Sequence, residues 1–184
     1  MEAAECASTT TELGVINSLL DLEEFELVQV SADRARRVRT LTLVPRVSVG
    51  LCPHCHGVCD ERHACRERSV RDLPMGGWGT ELTVRLWQFR CRACDRFFTP
   101  PFAALAEGAH ATERLLERLG ELIAHSDVTA AARFFGIAEK TAEAWYYQHR
   151  ERKQREPQSG LQPIQSLGID ELSLKKDTAS SASC

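Results

Sequence analysis

No run of this 184-residue chain is apolar for the length that a bilayer-spanning helix needs, so nothing in it argues for a membrane partner. The opening residues, Met1-Glu2-Ala3-Ala4-Glu5, have neither the basic start nor the apolar stretch of a secretory signal, and export is not expected. Basic side chains are missing from residues 1–30, where seven acids leave a net charge of −7. Lysine is missing again from residues 31–98, where thirteen arginines against seven acids give +6. Residues 99–184 carry ten basic and twelve acidic groups, and the whole chain is −3. A net charge near zero therefore hides one arginine-rich segment, and a guanidinium fork suits phosphate oxygens better than an ammonium does. A solvated, salt-bridged surface is the plainer reading of the same charges. With 43% hydrophobic and 27% charged residues, the chain has the composition of a soluble cytoplasmic protein of one or two small domains.

Eight cysteines without an export signal point to metal thiolates rather than a disulfide scaffold. Four of them form two Cys-x-x-Cys pairs, Cys52-Pro53-His54-Cys55 and Cys91-Arg92-Ala93-Cys94, separated by 35 residues. The two-residue gap lets both sulfurs of a pair turn toward one ion, and two pairs complete a tetrahedral shell for structural Zn²⁺. Unpaired structural thiols or a redox pair would not explain the second pair. Arg68 to Pro74 reads as a short strand, Met75 to Gly79 as a turn and Thr80 to Phe89 as a long strand, which makes a zinc ribbon over residues 51–100. His54, His56, Cys59, His63 and Cys65 lack a repeated spacing and make a weak case for a second metal. The arginines Arg68, Arg71, Arg90 and Arg92, with Arg85 and Arg96, are the candidate phosphate contacts.

Ahead of the ribbon, residues 1–50 predict a frayed start, a short helix through Leu13, Ile16, Leu19 and Leu20, and a hairpin of Phe25–Val30 with Arg37–Val44. Pro45 closes the second strand, and the hairpin needs the ribbon to pack on, since an isolated one is marginal in water. Pro100-Pro101 ends strand character and begins a helical unit over residues 101–156. Thr112 caps a helix striped by Leu115, Leu116, Leu119, Leu122 and Ile123. Ser126-Asp127 opens a second helix with Val128, Ala131, Ala132 and Phe135 on one face, and Gly136-Ile137-Ala138 is a tight turn. A third helix, Glu139 to about Arg150, buries Ala142, Trp145, Tyr146 and His149. The pattern is that of a helix-turn-helix. Its outward face would offer Lys140, Thr141, Ala144, Tyr147 and Gln148 to base edges, with Arg150, Arg152 and Lys153 on the backbone. A plain three-helix packing unit is the alternative. Residues 157–184 read as a linker followed by an apolar strand, Ile164 to Leu174, that carries Asp170 and Glu171.

The whole is α+β. The order of its motifs resembles the N-terminal part of bacterial insertion-sequence transposases of the ISL-three type. The residues that carry the likeness are Cys52-Pro53-His54-Cys55, His63, Arg68 to Pro74, Gln88 to Cys94 and Ile169-Asp170-Glu171. In that family a zinc ribbon and a helix-turn-helix precede a DDE catalytic core of RNase H-like fold. The resemblance implies binding to double-stranded DNA at terminal inverted repeats in the bacterial cytoplasm, with a second copy or the full-length transposase as partner. Asp170 would match the first catalytic carboxylate, and Mg²⁺ would matter only with a complete core. Adjacent strand residues point to opposite faces, so Asp170 and Glu171 cannot together hold the two ions of phosphoryl transfer. Catalysis by this chain alone is not expected. A repressor of transposition and a zinc-ribbon protein-interaction module are the other functions the motifs allow.

Overall fold

The computed structural model describes residues 10–155. Of the frayed start expected over Met1 to Thr11, Thr10 and Thr11 are instead helical, while residues 1–9, the linker, the strand from Ile164 to Leu174 and Asp170 lie outside the described residues.

Apolar side chains alternate along Thr80-Glu81-Leu82-Thr83-Val84-Arg85-Leu86, with Leu82 and Val84 fully buried, and this alternation builds the central strand. Helix α1 (Thr10–Leu20) leads into β1 (Phe25–Asp33) and β2 (Val38–Pro45), followed by the two-residue strands β3 (Gly50–Leu51) and β4 (Val58–Cys59). Two long strands, β5 (Arg62–Met75) and β6 (Trp78–Cys91), form a hairpin, and β7 (Arg96–Phe98) folds back on its end. The order across the main sheet is β1-β2-β6-β5, with β7 also on β6, while β3 and β4 pair separately. The expected hairpin of residues 25–45 is present and antiparallel, and Pro45 is the last residue of β2. It joins the ribbon through a parallel pairing, Val38↔Gly79 to Leu43↔Val84, so hairpin and ribbon share one sheet.

The expected short strand at Arg68–Pro74 is longer, 14 residues from Arg62 to Met75, and the turn narrows to Gly76 and Gly77, both at positive φ. Residues His63 to Ser69 give no apolar alternation because their outer face is largely solvent-exposed. Backbone pairing to β6, from Arg62↔Phe89 to Met75↔Trp78, holds them instead. Leu20, Phe25, Leu27, Leu41, Leu43, Val70, Leu82 and Val84 form the core on one face of the sheet, with Leu13 and Ile16 of α1 packed over them. Asn17 accepts a hydrogen bond from the Leu27 backbone at 2.9 Å, which fixes α1 to β1.

The helical unit follows the predicted order: α2 (Glu113–His125), α3 (Val128–Phe135) and α4 (Glu139–Arg155). Thr112 caps α2 by accepting from Leu115 N–H, Asp127 caps α3 by accepting from Ala130 N–H, and Gly136 ends α3 at φ 63°. Helix α4 runs five residues past the expected Arg150. Leu115, Leu116, Leu119, Ala131, Ala132, Phe135 and Ala142 make a second core. The small side chains Ala131, Ala132 and Ala142 sit where the helices approach one another.

The composition break at Pro100-Pro101 falls where the strands end, yet the chain beyond it does not swing away from the sheet. Arg71 N–H donates to His110 O and Thr112 N–H donates to Arg71 O, both at 2.9 Å. Arg68 Nη2 donates to the carbonyls of Ala106 and Ala109 at 2.7 Å each. Buried Asp72 accepts from Thr112 Oγ1 at 2.7 Å and from Arg114 Nε at 2.8 Å, and Arg114 Nη2 pairs with its other oxygen. The Arg68–Asp72 segment thus clamps the helices onto the edge strand β5.

Candidate metal centre and nucleic-acid interface

The two Cys-x-x-Cys pairs meet at one end of the sheet. Cys52 and Cys55 sit on the turn between β3 and β4, while Cys91 ends β6 and Cys94 lies in the turn into β7. Cys52 Sγ lies 3.6 Å from Cys94 Sγ, Cys55 Sγ lies 3.4 Å from Cys91 Sγ, and all four sulfurs are within 4.8 Å of one another. A tetrahedron with metal–sulfur bonds of about 2.3 Å has sulfur–sulfur edges of about 3.8 Å, so the cluster has the size of a Zn(Cys)₄ shell. The cluster fits structural Zn²⁺. Each pair is built the same way, since the residue after the second cysteine, His56 or Asp95, is in the left-handed region at φ 56° and 53°. That local reversal points backbone N–H groups back at sulfur. Backbone N–H of Cys94 is the main reason the Cys91 thiol is pulled down to about 6, with Cys55 adding to it. Burial works against ionising Cys52, but N–H groups of Cys55 and His54 still hold it below the ordinary thiol range. Burial pushes Cys94 up to about 12 and Cys59 to about 11. A metal ion overrides these preferences and takes all four ligands as thiolates.

Phe89 and Phe98, 6.0 Å apart and stacked, close the thiols off from the main core together with Cys59. Cys59 donates to Gly57 O at 3.6 Å. The four-cysteine cluster is the one metal-ligating group found among the described residues. The His63 ring lies 4.4 Å from that of Phe97 and tilted to it, His54 approaches Arg96 at 3.3 Å and Cys65 is exposed, so the weaker second-metal candidates do not converge.

The candidate phosphate contacts are mostly engaged elsewhere. Arg68 clamps the 106–109 loop, and Arg71 donates to Gly136 O at 3.2 Å and lies 3.6 Å from Glu81. Arg90 pairs with Asp95 at 2.7 Å, Arg92 with Glu61 at 2.9 Å and Arg85 with Glu67 at 3.0 Å. The plainer reading of a salt-bridged surface therefore describes this part of the ribbon.

On α4, Lys140, Ala144, Tyr147 and Gln148 are exposed on one side and Thr141 is half-buried, while Ala142 and His149 are buried on the other. Gln148 reaches back to the 106–111 loop, where a Cβ on Gly108 would come within 2.3 Å of its Nε2. Arg150 lies over the Tyr146 ring at 5.6 Å. Arg152 pairs with Glu113 and Lys153 lies 4.0 Å from Glu117, so both bind α4 to α2. Sequence reasoning passed over Arg34, Arg36, Arg37 and Arg39, although four arginines within six residues were there to be read. It also passed over the Asp72–Arg114 pair, whose partners lie 42 residues apart.

Residues 48–94 match the family described as the zinc-finger of transposase IS204/IS1001/IS1096/IS1165, an ISL3-type zinc ribbon whose matched stretch takes in all four cysteines. Over 143 residues the chain is 32% identical to the transposase for insertion sequence element IS1001 of Bordetella parapertussis, covering 76% of this chain and 34% of that protein. The chain thus spans about a third of the length of the curated relative it matches. No solved structure matches it. Four converged thiols inside the matched ribbon, with an identity that runs well beyond it, make the chain similar to the N-terminal region of ISL3-type insertion-sequence transposases.

Proposed function

We propose that this chain binds double-stranded DNA, with α4 in a major groove and the zinc ribbon bracing the helices that present it. Its role would be to recognise the terminal inverted repeats of an insertion sequence for a transposase. One observation carries the reading: α3 and α4 are joined by a three-residue turn capped by left-handed Gly136, and the exposed side of α4 holds Lys140, Ala144 and Tyr147. Two helices joined in this way support a helix-turn-helix reading, and they lie in a chain whose ribbon matches that of transposases. Thr141 and Gln148 stay within the proposed contact surface at its edges. Arg150 extends it, and Arg152 and Lys153 serve first to hold α4 on α2. The catalytic assignment of Asp170 concerns a residue outside the described part and adds nothing to this reading.

The test is selection of duplexes from a random-sequence library by the zinc-loaded protein. A defined motif should emerge, and Lys140→Ala or Tyr147→Ala should relax it at one or two positions, at about 1–3 kcal/mol per lost base contact. Recovery of no duplex above the unselected library would refute the proposal. One feature favours a second reading as a protein-interaction module. Val47, Val49, Leu51 and Val58 are all more than a third exposed around the first cysteine pair, an apolar rim that a protein partner could cover.

A further inference from the structure

Arg90 and Arg92, beside the cysteine cluster, are paired with Asp95 and Glu61, whereas three arginines at the opposite end of the sheet have no acid partner among the described residues. The four-residue turn between β1 and β2 carries Arg36 and Arg37 and no acid, and Asp33, the last residue of β1, accepts from the backbone N–H of Ala35 and Arg36 at 3.0 Å each. Arg37 is at φ 53°, and its carbonyl accepts from Gly79 N–H at 2.9 Å, so the turn is tied to the start of β6 rather than hanging loose. Arg133 comes from the last turn of α3. The side chains of Arg36, Arg37 and Arg133 make no hydrogen bond or ion pair among the described residues, and all three are exposed.

These three groups line one cleft of about 650 Å³, with Trp78 on the sheet side and Phe134, 66% exposed, on the helix side. Gly136 also lines it, and α4 begins three residues later at Glu139. Arg71, the fourth arginine of the cleft, is held by Gly136 O and Glu81 and so fixes the wall. Like charges gathered in a concavity with apolar walls focus a positive potential, which favours an anion there.

We infer that this cleft takes the phosphodiester backbone of the same DNA duplex whose groove α4 reads, with Arg36, Arg37 and Arg133 as the phosphate contacts. The inference rests on the DNA-binding reading above and moves the backbone grip from the ribbon's paired arginines to the turn between β1 and β2 and the end of α3. The adjacency supports it: a duplex seated on the N-terminal turn of α4 has a sugar-phosphate strand beside that groove, and Gly136, three residues ahead of α4, lines the cleft. An aromatic rim at Phe134 suits the apolar face of a deoxyribose.

The test is binding of the zinc-loaded chain to a fluorescent duplex of mixed sequence, measured across salt from about 50 to about 200 mM. Each single change, Arg36→Gln, Arg37→Gln or Arg133→Gln, should lower the slope of log affinity against log salt by about 0.9, and the triple change should lower it by about three times that. The same changes should leave the sequence preference found by selection intact. Arg118→Gln, which breaks a surface pair with Glu121 on α2, supplies the comparison for loss of one charge. The triple Arg→Lys variant should keep most of the slope, and unchanged zinc content and melting temperature show that each variant is folded. If the wild type binds duplex and the triple Gln variant keeps its slope and affinity, the cleft is not the contact and the α4 reading survives. If the wild type binds no duplex, both fall.

Discussion

Asp72 is 4% exposed between the sheet and the helices, and each of its oxygens faces Arg114. Removing a buried carboxylate from its guanidinium leaves a charge without its partner, so Asp72→Ala should cost about 3 kcal/mol. Denaturant unfolding would measure it, and a loss under about 1 kcal/mol would mean that Thr112 and the backbone ties alone hold the junction. His149, 8% exposed on α4, gives a pH signature. Burial, then the charge of Arg152, pushes its pKa below 6.5, while Glu113 pulls the other way. The unfolded chain takes up that proton near pH 6.5 and the folded chain only at lower pH. Stability therefore falls on acidification from about 6.5 down to the depressed value and rises again in the reverse direction. The melting-temperature difference between wild type and His149→Gln should change across that window; a constant difference would contradict the burial argument. The burial of His149 was readable from the helical spacing of α4, whereas the role of Asp72 was not, because its partners Thr112 and Arg114 lie 40 and 42 residues away.

At the scale of elements, the sequence was most informative where local chemistry decides. Thr112, Asp127 and Gly136 marked helix ends that the structure keeps, because a cap is a bargain between a side chain and backbone groups within four residues. Gly136 has φ 63° and no atom within 4 Å of where a Cβ would stand, so Gly136→Ala meets no clash and only a left-handed backbone penalty. It should cost about 1 kcal/mol in thermal or denaturant unfolding, and a neutral result would show that the turn relaxes freely. Strand β5 was read too short because its outer face is polar, and the parallel union of β2 with β6 left no local mark. Parallel register depends on two segments 41 residues apart, which periodicity within either one does not encode.

For the whole molecule, three small cores are strung along one sheet: thiols at one end, aliphatic side chains in the middle and helices against the far edge. The cysteine spacing announced the first of these, and charge counting found the arginine-rich segment. The count could not separate arginines that neutralise nearby acids from those left without one, since Glu61 and Glu67 reach their arginines only across the sheet. The thiol end has a small apolar cluster of Phe89, Phe98 and the cysteines, and a metal bound by four thiolates would supply the folding energy that so small a core lacks. X-ray absorption at the zinc edge of the purified chain tests this most directly. One zinc per chain with four sulfur neighbours at about 2.3 Å is the predicted result. Nitrogen or oxygen in the first shell, or a folded chain with no bound zinc, would contradict it.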